Sequence, residues 1–227
     1  MARAMRTTSF TEPAALSDVL KMEMGSYSRD TVTIVSGAGA LALGMVLGKI
    51  TKGTATSAAK SGGNTGNGTL TVDATTPVRP GAKVGVYTVR CIEAATNAGT
   101  LRVSDPDGIV IGDVAVGATF DNDVKFATAD GSTDFIVGDG FDVTVAAGSG
   151  KWAPHNPTAV DGREVAAGVL LGAVDATSAD QTAVICARQA EVSWAGLAWH
   201  ASVDDQTKKN AAAAQLAAVG ILVRSRA

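Results

Sequence analysis

The stretch LRVSDPDGIVIG, residues 101–112, decides whether this chain is organised around a metal ion or around β-strands. If Gly108 is the glycine of a calcium loop, the first and twelfth ligand positions fall on Val103 and Val114, which cannot bind a cation. The Asp-Pro-Asp-Gly sequence instead suits a tight turn, because proline presets its backbone angle and glycine adopts a positive one freely. The stretch therefore predicts strand, turn and strand, and no metal site.

Short runs of the same kind fill residues 69–145. They are roughly five to eight residues long, recur at intervals of about ten, and are separated by Gly, Asp and Asn turns, which is typical of an antiparallel sandwich or barrel. Residues 53–68 contain mostly Gly, Ser, Thr and Asn and predict a flexible linker. We therefore expect an all-β domain at 53–149 whose first part is this linker.

The flanking segments predict further strands and one helix. Residues 31–35 are β-branched and favour a strand. Near the C-terminus, Ser202 is a plausible N-cap with Asp205 three residues later, alanines carry the helix to Val219, and Gly220 ends it. The exposed alanines of such a helix could meet another subunit. The expected fold class is mainly β with one C-terminal α-helix.

Residues 1–29 are polar, mixed and without a clear period, and they predict an N-terminal arm. Such a segment cannot bury enough apolar surface to fold alone. Its expected partner is a neighbouring protein whose sheet edge accepts an added strand. The candidate contact residues of the arm are Phe10, Thr11, Leu16, Val19 and Leu20.

Composition argues against several classes of function. The net charge is -3 and no block of Lys and Arg occurs, so we expect no nucleic-acid partner. We expect no membrane span, because no run of about 20 apolar residues occurs, and no secretory signal follows the basic N-terminus. Cys91 and Cys186 lie in strand-like runs and are expected to be reduced, half-buried thiols, with a disulfide as the alternative.

No catalytic or cofactor motif is complete. GSGK at 148–151 resembles a phosphate-binding loop, but Val145 replaces its first glycine and Trp152 stands where Ser or Thr should bind magnesium. His155 and His200 are not in a metal-ligand spacing, and no G-x-S-x-G occurs. We therefore expect no enzyme, no cofactor, no metal and no catalytic residue.

The segment WAPHNPTAVDGREVAAGVLLGAVDAT, residues 152–177, resembles the head decoration proteins of phage lambda and its relatives. The family pattern is a tryptophan, a short loop, Asp-Gly, and a strand that ends in Ala-Gly and aliphatic residues. The matching positions here are Trp152, Asp161, Gly162 and Gly168.

A second part of the resemblance lies at 197–223. The family pattern of Leu-x-Trp, then Asp-x-Thr-Lys-Lys at the start of a helix, matches Trp199, Asp205 and Thr207. The strands at 31–52 match more loosely. Residues 69–145 have no counterpart in the small lambda protein.

The resemblance implies a β-tulip decoration domain formed by residues 30–52 and 150–227, split by the inserted domain, with residues 1–29 as a capsid-binding arm. Such proteins are trimers at the three-fold and quasi-three-fold points of the expanded capsid, where they clamp neighbouring major capsid subunits against DNA pressure. The implied partners are two further copies of the chain and the major capsid protein. The implied location is the outer surface of the virion, after assembly in the host cytoplasm. The matched motif residues are implied to lie in the trimer interface or the core.

Two other functions remain as alternatives. A tail or fibre component with a carbohydrate-binding β-sandwich predicts a cluster of exposed aromatic residues within 69–145, where only Tyr87 and a few phenylalanines occur. A surface-layer or adhesin module predicts a signal peptide. The ligand of the inserted domain, whether a host surface, a glycan or none, stays open.

Overall fold

The computed structural model describes residues 15–225. Across them the chain is mainly β, as predicted, with one long helix near the C-terminus. In chain order the strands are β1 (Leu20–Glu23), β2 (Arg29–Ile34), β3 (Gly39–Leu41), β4 (Val46–Lys49), β5 (Lys52–Ala59), β6 (Thr69–Val72), β7 (Gly85–Ala95), β8 (Ala98–Ser104), β9 (Val110–Ala115), β10 (Thr119–Asp121), β11 (Lys125–Ala129), β12 (Gly140–Ala147), β13 (Trp152–Pro154), β14 (Ala166–Leu170), β15 (Val174–Ala176), β16 (Gln181–Cys186), β17 (Ala190–Ser193) and β18 (Ile221–Arg224). The helices are α1 (Leu16–Val19) and α2 (Gln206–Ala218), with 3-10 turns at Gly25–Ser28 and Trp194–Gly196. Neither α1 nor α2 is long and apolar enough to cross a bilayer.

Five strands close into a small barrel in the order β13-β2-β16-β14-β4. Its strands come from both sides of the 53–149 segment, β2 and β4 before it and β13, β14 and β16 after it. Ile34, Leu47, Leu170 and Ile185 are fully buried inside it. Closure leaves these five strands without a free edge, which protects the barrel from unwanted strand pairing.

A β-sandwich forms from residues 52–147. A five-stranded sheet, β5-β12-β7-β8-β9, shares one core with a three-stranded sheet, β10-β11-β6. In that core the Phe120 and Phe126 rings stack with centroids 5.2 Å apart, and Phe135 meets Phe141 edge to face at 5.8 Å. The antiparallel sandwich predicted from the spacing of the runs is therefore present.

A continuous two-stranded ribbon joins the barrel to the sandwich. β4 pairs with β13 inside the barrel, and β5 pairs with β12 inside the sandwich. Between them, the Ile50 N–H donates to the Lys151 carbonyl at 2.8 Å and the Gly148 N–H donates to the Thr51 carbonyl at 2.9 Å. The chain thus leaves the barrel and returns to it on neighbouring strands, Lys52 being paired with Ala147.

The prediction of a flexible linker at 53–68 is wrong, because the first part of this segment is a strand of the ribbon and the rest is an ordered loop. Residues 52–59 are strand β5, and residues 60–68 form a loop held by side chains. Asn64 exchanges two hydrogen bonds with the backbone of Gly140, at 2.8 and 2.9 Å. The side-chain oxygen of Asn67, Oδ1, accepts from the Thr133 N–H at 2.9 Å. Polar residues that cannot build a core instead order this segment by pairing with distant backbone groups.

Asp139 is the buried anchor of this loop. It is 2% exposed, and its carboxylate accepts from the N–H groups of Thr65, Gly66 and Ile136 at 2.9 to 3.1 Å. Burial by itself raises the pKa of Asp139, but the three backbone hydrogen bonds and Lys60 outweigh it and leave the pKa below its ordinary value. The ionised carboxylate therefore stabilises the folded state.

The opening stretch is strand, turn and strand, as predicted, with β8 and β9 joined through residues 105–109. Asp105 is 5% exposed, and its Oδ1 accepts from the N–H groups of Asp107 and Ile109. The Lys83 ammonium lies 2.6 Å from a carboxylate oxygen of Asp105 and 2.6 Å from one of Asp107. These hydrogen bonds raise the pKa of Lys83, and the bond to Lys83 is the largest cause that lowers the pKa of Asp105. One internal cation is thus hydrogen-bonded to both aspartates of the turn, and the three groups together keep one negative charge.

Helix α2 covers a second core beside the barrel. Leu216 and Ala212 are fully buried there with Ile221 of β18. The predicted N-cap at Ser202 is wrong: Asp205 caps the helix, its Oδ1 accepting from the Lys208 N–H at 2.8 Å. Ser202 instead bonds to the ring of His200, two residues earlier, which leaves it unavailable as a cap. Gly220 ends the helix with a positive φ of 82°, as predicted.

Calcium should have no effect on stability. Lys83 donates to both Asp105 and Asp107, and two backbone N–H groups bind the other oxygen of Asp105, so a calcium ion would have to displace these hydrogen bonds. We expect melting temperatures in calcium and in EDTA to agree within about 1 °C, since only a ligand that binds the folded state shifts them. Scanning calorimetry of the full chain measures this. A calcium-dependent rise in wild type would mean that the cation displaces Lys83, and Lys83→Met should then enlarge that rise.

Asp139→Asn should destabilise the protein by about 1–3 kcal/mol at neutral pH, because an amide replaces one acceptor oxygen of a buried group. The unfolded Asp139 takes up its proton near pH ~3.9 and the folded one at lower pH, so the carboxylate stabilises above this range and loses its effect as the pH falls. The gap between wild type and variant in urea unfolding should therefore shrink towards pH ~2. Asp134→Asn is the matched control, since Asp134 accepts one backbone N–H at the same end of the sandwich. An equal loss in both variants would contradict the anchor role.

Candidate interaction surfaces

The Asp161–Gly162 pair of the family motif lies where the ribbon leaves the barrel. The Asp161 carbonyl accepts from the N–H groups of Thr51 and Lys52 at 2.8 and 2.9 Å. Gly162 has a φ of 109°, and a Cβ there would lie 2.2 Å from the Thr51 hydroxyl and 2.5 Å from the Lys49 carbonyl. Only glycine allows this approach without displacing backbone. Both residues therefore position the ribbon.

An ion pair is buried beside this contact. Lys52 is 7% exposed, and its ammonium lies 2.8 Å from Glu164 Oε1 and 2.6 Å from the Pro80 carbonyl. The other oxygen of Glu164 accepts from the Gly162 N–H at 2.7 Å. Pro80 belongs to the sandwich and Glu164 to the loop before β14, so one lysine ties the two parts together. We call these residues, Lys52, Pro80, Asp161, Gly162 and Glu164, the clasp.

The histidine of the same loop is structural. His155 is 2% exposed and its Nδ1 lies 2.9 Å from the Arg163 carbonyl. Burial lowers the pKa of His155 below its ordinary value, so the neutral ring is favoured at neutral pH. The ring holds the two ends of the loop between Trp152 and Gly168 together.

Trp152 and Gly168 pack against each other in the barrel. Trp152 pairs with Lys49 on β4 and Ile34 on β2. A Cβ on Gly168 would lie 3.0 Å from Ile185 Cδ1 and 3.2 Å from the Trp152 ring. The motif keeps a glycine here because the indole and Ile185 occupy the space of a side chain, which assigns both residues to the core.

The C-terminal motif residues occupy different surroundings. Trp199 is half-buried, its ring 5.6 Å from that of Trp194, and it packs against the core under α2. Asp205 caps α2, and Thr207 is exposed on its first turn. The structure does not bring Thr207 together with the other motif residues at one site.

The predicted N-terminal arm splits into two parts. Phe10 and Thr11 lie outside the described residues. From residue 15 onward the prediction of a segment that needs a partner to fold is wrong. Val19 is 1% exposed in the core with Leu216 and Ile221, and Leu20 pairs with Val192 of β17. A few apolar residues suffice here, because β1 adds to a sheet and core that the rest of the chain has already formed.

Small residues make this attachment close. A Cβ on Gly196 would lie 2.4 Å from the Asp18 carbonyl, and one on Gly44 would lie 2.1 Å from the Gly196 carbonyl. Three backbone segments thus stack in direct contact, with Leu16–Val19 outermost.

An exposed apolar surface begins at the same place. β1 is an edge strand of the sheet β1-β17-β18, and Met22, Met24 and Tyr27 are 61 to 65% exposed. A groove of about 310 Å³ runs beside it between Leu16 and Arg29. We call the strand with these three side chains the β1-edge surface. Exposed apolar side chains on a free strand edge are typical of a surface that a partner covers.

The sequence analysis did not identify a second apolar surface. Val84, Val86, Ile109 and Val110 are 44 to 59% exposed on the sandwich. The available signal was the run KVGVYTVRC, residues 83–91, in which apolar residues occupy both alternating faces of one strand. Such a strand is typically covered on both sides.

The two cysteines lie in separate cores, Cys91 in the sandwich and Cys186 beside the barrel. Both are free, as predicted, but the prediction of half-buried thiols is wrong, since both are buried, and burial raises the pKa of each. Between residues 15 and 225, no three His, Cys, Asp or Glu side chains are grouped so that they could hold a metal ion.

Known proteins were compared with the chain in three ways. No curated protein matches it. Two crystal structures of FlgL from Xanthomonas campestris match at 20% and 21% identity, over 46% and 48% of this chain, with TM-scores of 0.31 and 0.30. The aligned part is 33% of each FlgL chain, and a similarity this low supports no argument about function. The family model of the bacteriophage lambda head decoration protein D matches residues 9–221, which include the ribbon, the clasp, the sandwich and α2. The chain therefore belongs to the lambda head decoration protein family.

Proposed function

We propose that three copies of this chain form a trimer on the outer surface of a phage capsid, at three-fold and quasi-three-fold points of the expanded lattice, and clamp neighbouring major capsid subunits against DNA pressure. The observation that carries the proposal is the family match over residues 9–221. The architecture is compatible with it, since a closed barrel and a rigidly attached sandwich offer surfaces for binding.

The β1-edge surface is the proposed contact with the major capsid protein. A free strand edge provides backbone donors and acceptors to an extended partner segment, and exposed Met22, Met24 and Tyr27 provide apolar contacts. Phe10 and Thr11, which lie outside the described residues, are proposed to contribute to the same contact, as the sequence analysis expected. Arg29 pairs with Glu23 at 2.6 Å and fixes the end of β1.

Three copies of this contact on one trimer strengthen attachment beyond the affinity of each. Once one contact forms, the others bind at a raised effective concentration, and dissociation requires all three to open together. Individually weak contacts therefore suffice for stable decoration.

The carbohydrate-binding alternative has no structural support in the insertion. Its aromatic residues, Tyr87, Phe120, Phe126, Phe135 and Phe141, are all at most 7% exposed. Sugar rings stack on exposed aromatic faces, and these faces are used inside the sandwich core. We propose that the sandwich projects away from the capsid, at the far end of the ribbon from the barrel.

The oligomeric state tests the proposal first. We expect light scattering coupled to size exclusion to give the mass of three chains, and purified protein to bind expanded capsids at sites of three-fold symmetry. Unexpanded shells of the same phage are the control and should bind less. A chain that is monomeric both in solution and on capsids would contradict the trimer.

A charged substitution tests whether the β1-edge surface binds the capsid. Met22→Glu should reduce the number of bound copies per capsid at least about tenfold, because it places an uncompensated carboxylate in an apolar contact. Val137→Glu is the matched control, since Val137 is 64% and Met22 is 62% exposed, and Val137 lies on the sandwich far from the barrel. Both variants should melt like wild type.

Truncation distinguishes an effect on capsid binding from an effect on folding stability. Deleting residues 2–14 should leave the melting temperature nearly unchanged and weaken capsid binding. Val19→Asp should instead destabilise the fold by about 3–5 kcal/mol, because it buries an unpaired charge. Full occupancy by both Met22→Glu and the truncated protein would remove this surface from the proposal.

A further inference from the structure

The second exposed apolar surface lies at the level of the clasp. Val86 is paired with Thr144 and Val110 with Ser104, while Tyr87 and Val103 alternate with them and point into the core. Val86 and Val110 therefore share the outer face of the five-stranded sheet. Gly85 contacts Pro106, which places this part of the sheet beside the 105–109 turn. We call Val84, Val86, Ile109 and Val110 the waist patch.

A groove adjoins this patch between sandwich and barrel. It encloses about 580 Å³, and its apolar lining comes from Pro80, Ala82 and Val84 on one side and from Val165 and Ala167 on the other. The paired Lys52 and Glu164 also line it. Val165 is 50% exposed at its rim. We call this the waist groove, and Val84 belongs to both surfaces.

The side chains of the patch are suited to forming a contact. All four are β-branched, so they lose little rotamer freedom when a partner covers them. The turn that carries Ile109 is held by the Asp105 carboxylate and by Lys83. The patch is thus ordered before any partner arrives, which reduces the entropy lost on binding.

The charged side chains around the patch are paired within the chain, and one negative charge remains because Lys83 serves two aspartates. Lys83 pairs with Asp105 and Asp107, Arg90 with Asp142 at 2.5 Å, and Arg102 with Asp113 at 2.9 Å. An apolar centre with a polar rim is the usual composition of a protein interface. The patch rim thus keeps one negative charge, whereas the waist groove adds the exposed Lys49 to its paired Lys52 and Glu164. The two surfaces that would meet therefore carry opposite charges, which favours a second copy as the partner.

The position of the turn fits a closed ring. Copies related by a rotation axis are not shifted along that axis. The two surfaces that meet in a ring must therefore lie at the same position along the axis. If the three-fold axis runs parallel to the direction from barrel to sandwich, the 105–110 turn and the waist groove lie at the same position along it. The exposed Ile136 and Val137 do not, because Asp139 ties them to residues 65–66 at the far end of the sandwich.

We infer that the waist patch of one copy, through Ile109, docks in the waist groove of the next copy beside Val165, and that three such contacts close the ring. This rests on the trimer of the proposed function and names the surfaces that form it. The partner at this surface is a second copy of the chain.

Paired cysteines test the contact. Ile109→Cys with Val165→Cys in the full chain should give covalent dimers and trimers under mild oxidation on a non-reducing gel, while each single variant stays uncrosslinked. Cys91 and Cys186 are at most 2% exposed and do not compete. Ile136→Cys with Val165→Cys is the matched control, since Ile136 is 49% and Ile109 is 59% exposed, and it should not crosslink. Crosslinking by Ile109→Cys alone would overturn the head-to-tail contact, as would a double variant that stays trimeric without crosslinks.

Charged substitutions give a second measurement. Ile109→Asp and Val165→Asp should each weaken the trimer at least about tenfold, the effect of losing one well-packed contact residue. Val137→Asp should leave it intact, and all three should melt like wild type when monomeric. A trimer that survives both substitutions overturns this contact but leaves the proposed function standing. A wild-type chain that stays monomeric in solution and on capsids overturns both.

Discussion

The Lys52–Glu164 ion pair is the interaction on which the arrangement of the molecule depends. Breaking a buried pair by removing one partner leaves an uncompensated charge, at a cost of about 3–5 kcal/mol. Here the pair also supports three other contacts: the Pro80 carbonyl accepts from Lys52, Glu164 accepts from the Gly162 N–H, and the Glu164 carbonyl accepts from Gln215 of α2 at 3.3 Å. Barrel, sandwich and helix therefore meet at one charged centre.

Most of the motif residues by which the sequence resembles the family have structural contacts in this chain. Asp161 and Gly162 hold the ribbon, Trp152 and Gly168 fill the barrel, and Asp205 starts the helix. Recognition of the family from sequence thus rests on residues that shape the fold. The surfaces that we propose for partners involve other residues, the exposed Met22 and Tyr27 at the β1 edge and the exposed Ile109 on the sandwich.

Local patterns predicted the strands of 69–145, but they missed β1 and β5 and the ordered loop at 60–68. The turn at 105–109 was predictable because proline and glycine act on the nearest residues. The loop at 60–68 was not predictable, because Asn64 bonds to Gly140 and Asp139 accepts from Gly66. Asn64 and Asp139 are 75 positions apart, and local sequence patterns do not indicate contacts over that distance. Ser202 and Asp205 both have capping side chains, and only the bond of Ser202 to His200 decides between them. Val19 was predicted to contact a capsid protein, because most of the core that buries it, residues 166–221, is far away in the sequence.

The ribbon has a consequence for how such a protein can change its exterior. The sandwich begins and ends on residues that are paired neighbours, Lys52 and Ala147, whose Cα atoms in an antiparallel ladder are only about 5 Å apart. Any compact module whose two ends meet as adjacent antiparallel strands has the geometry to replace it without disturbing the barrel. The barrel could thus accept a different module at this point, but a module that lacks a counterpart of Ile109 would remove the contact that we infer between copies.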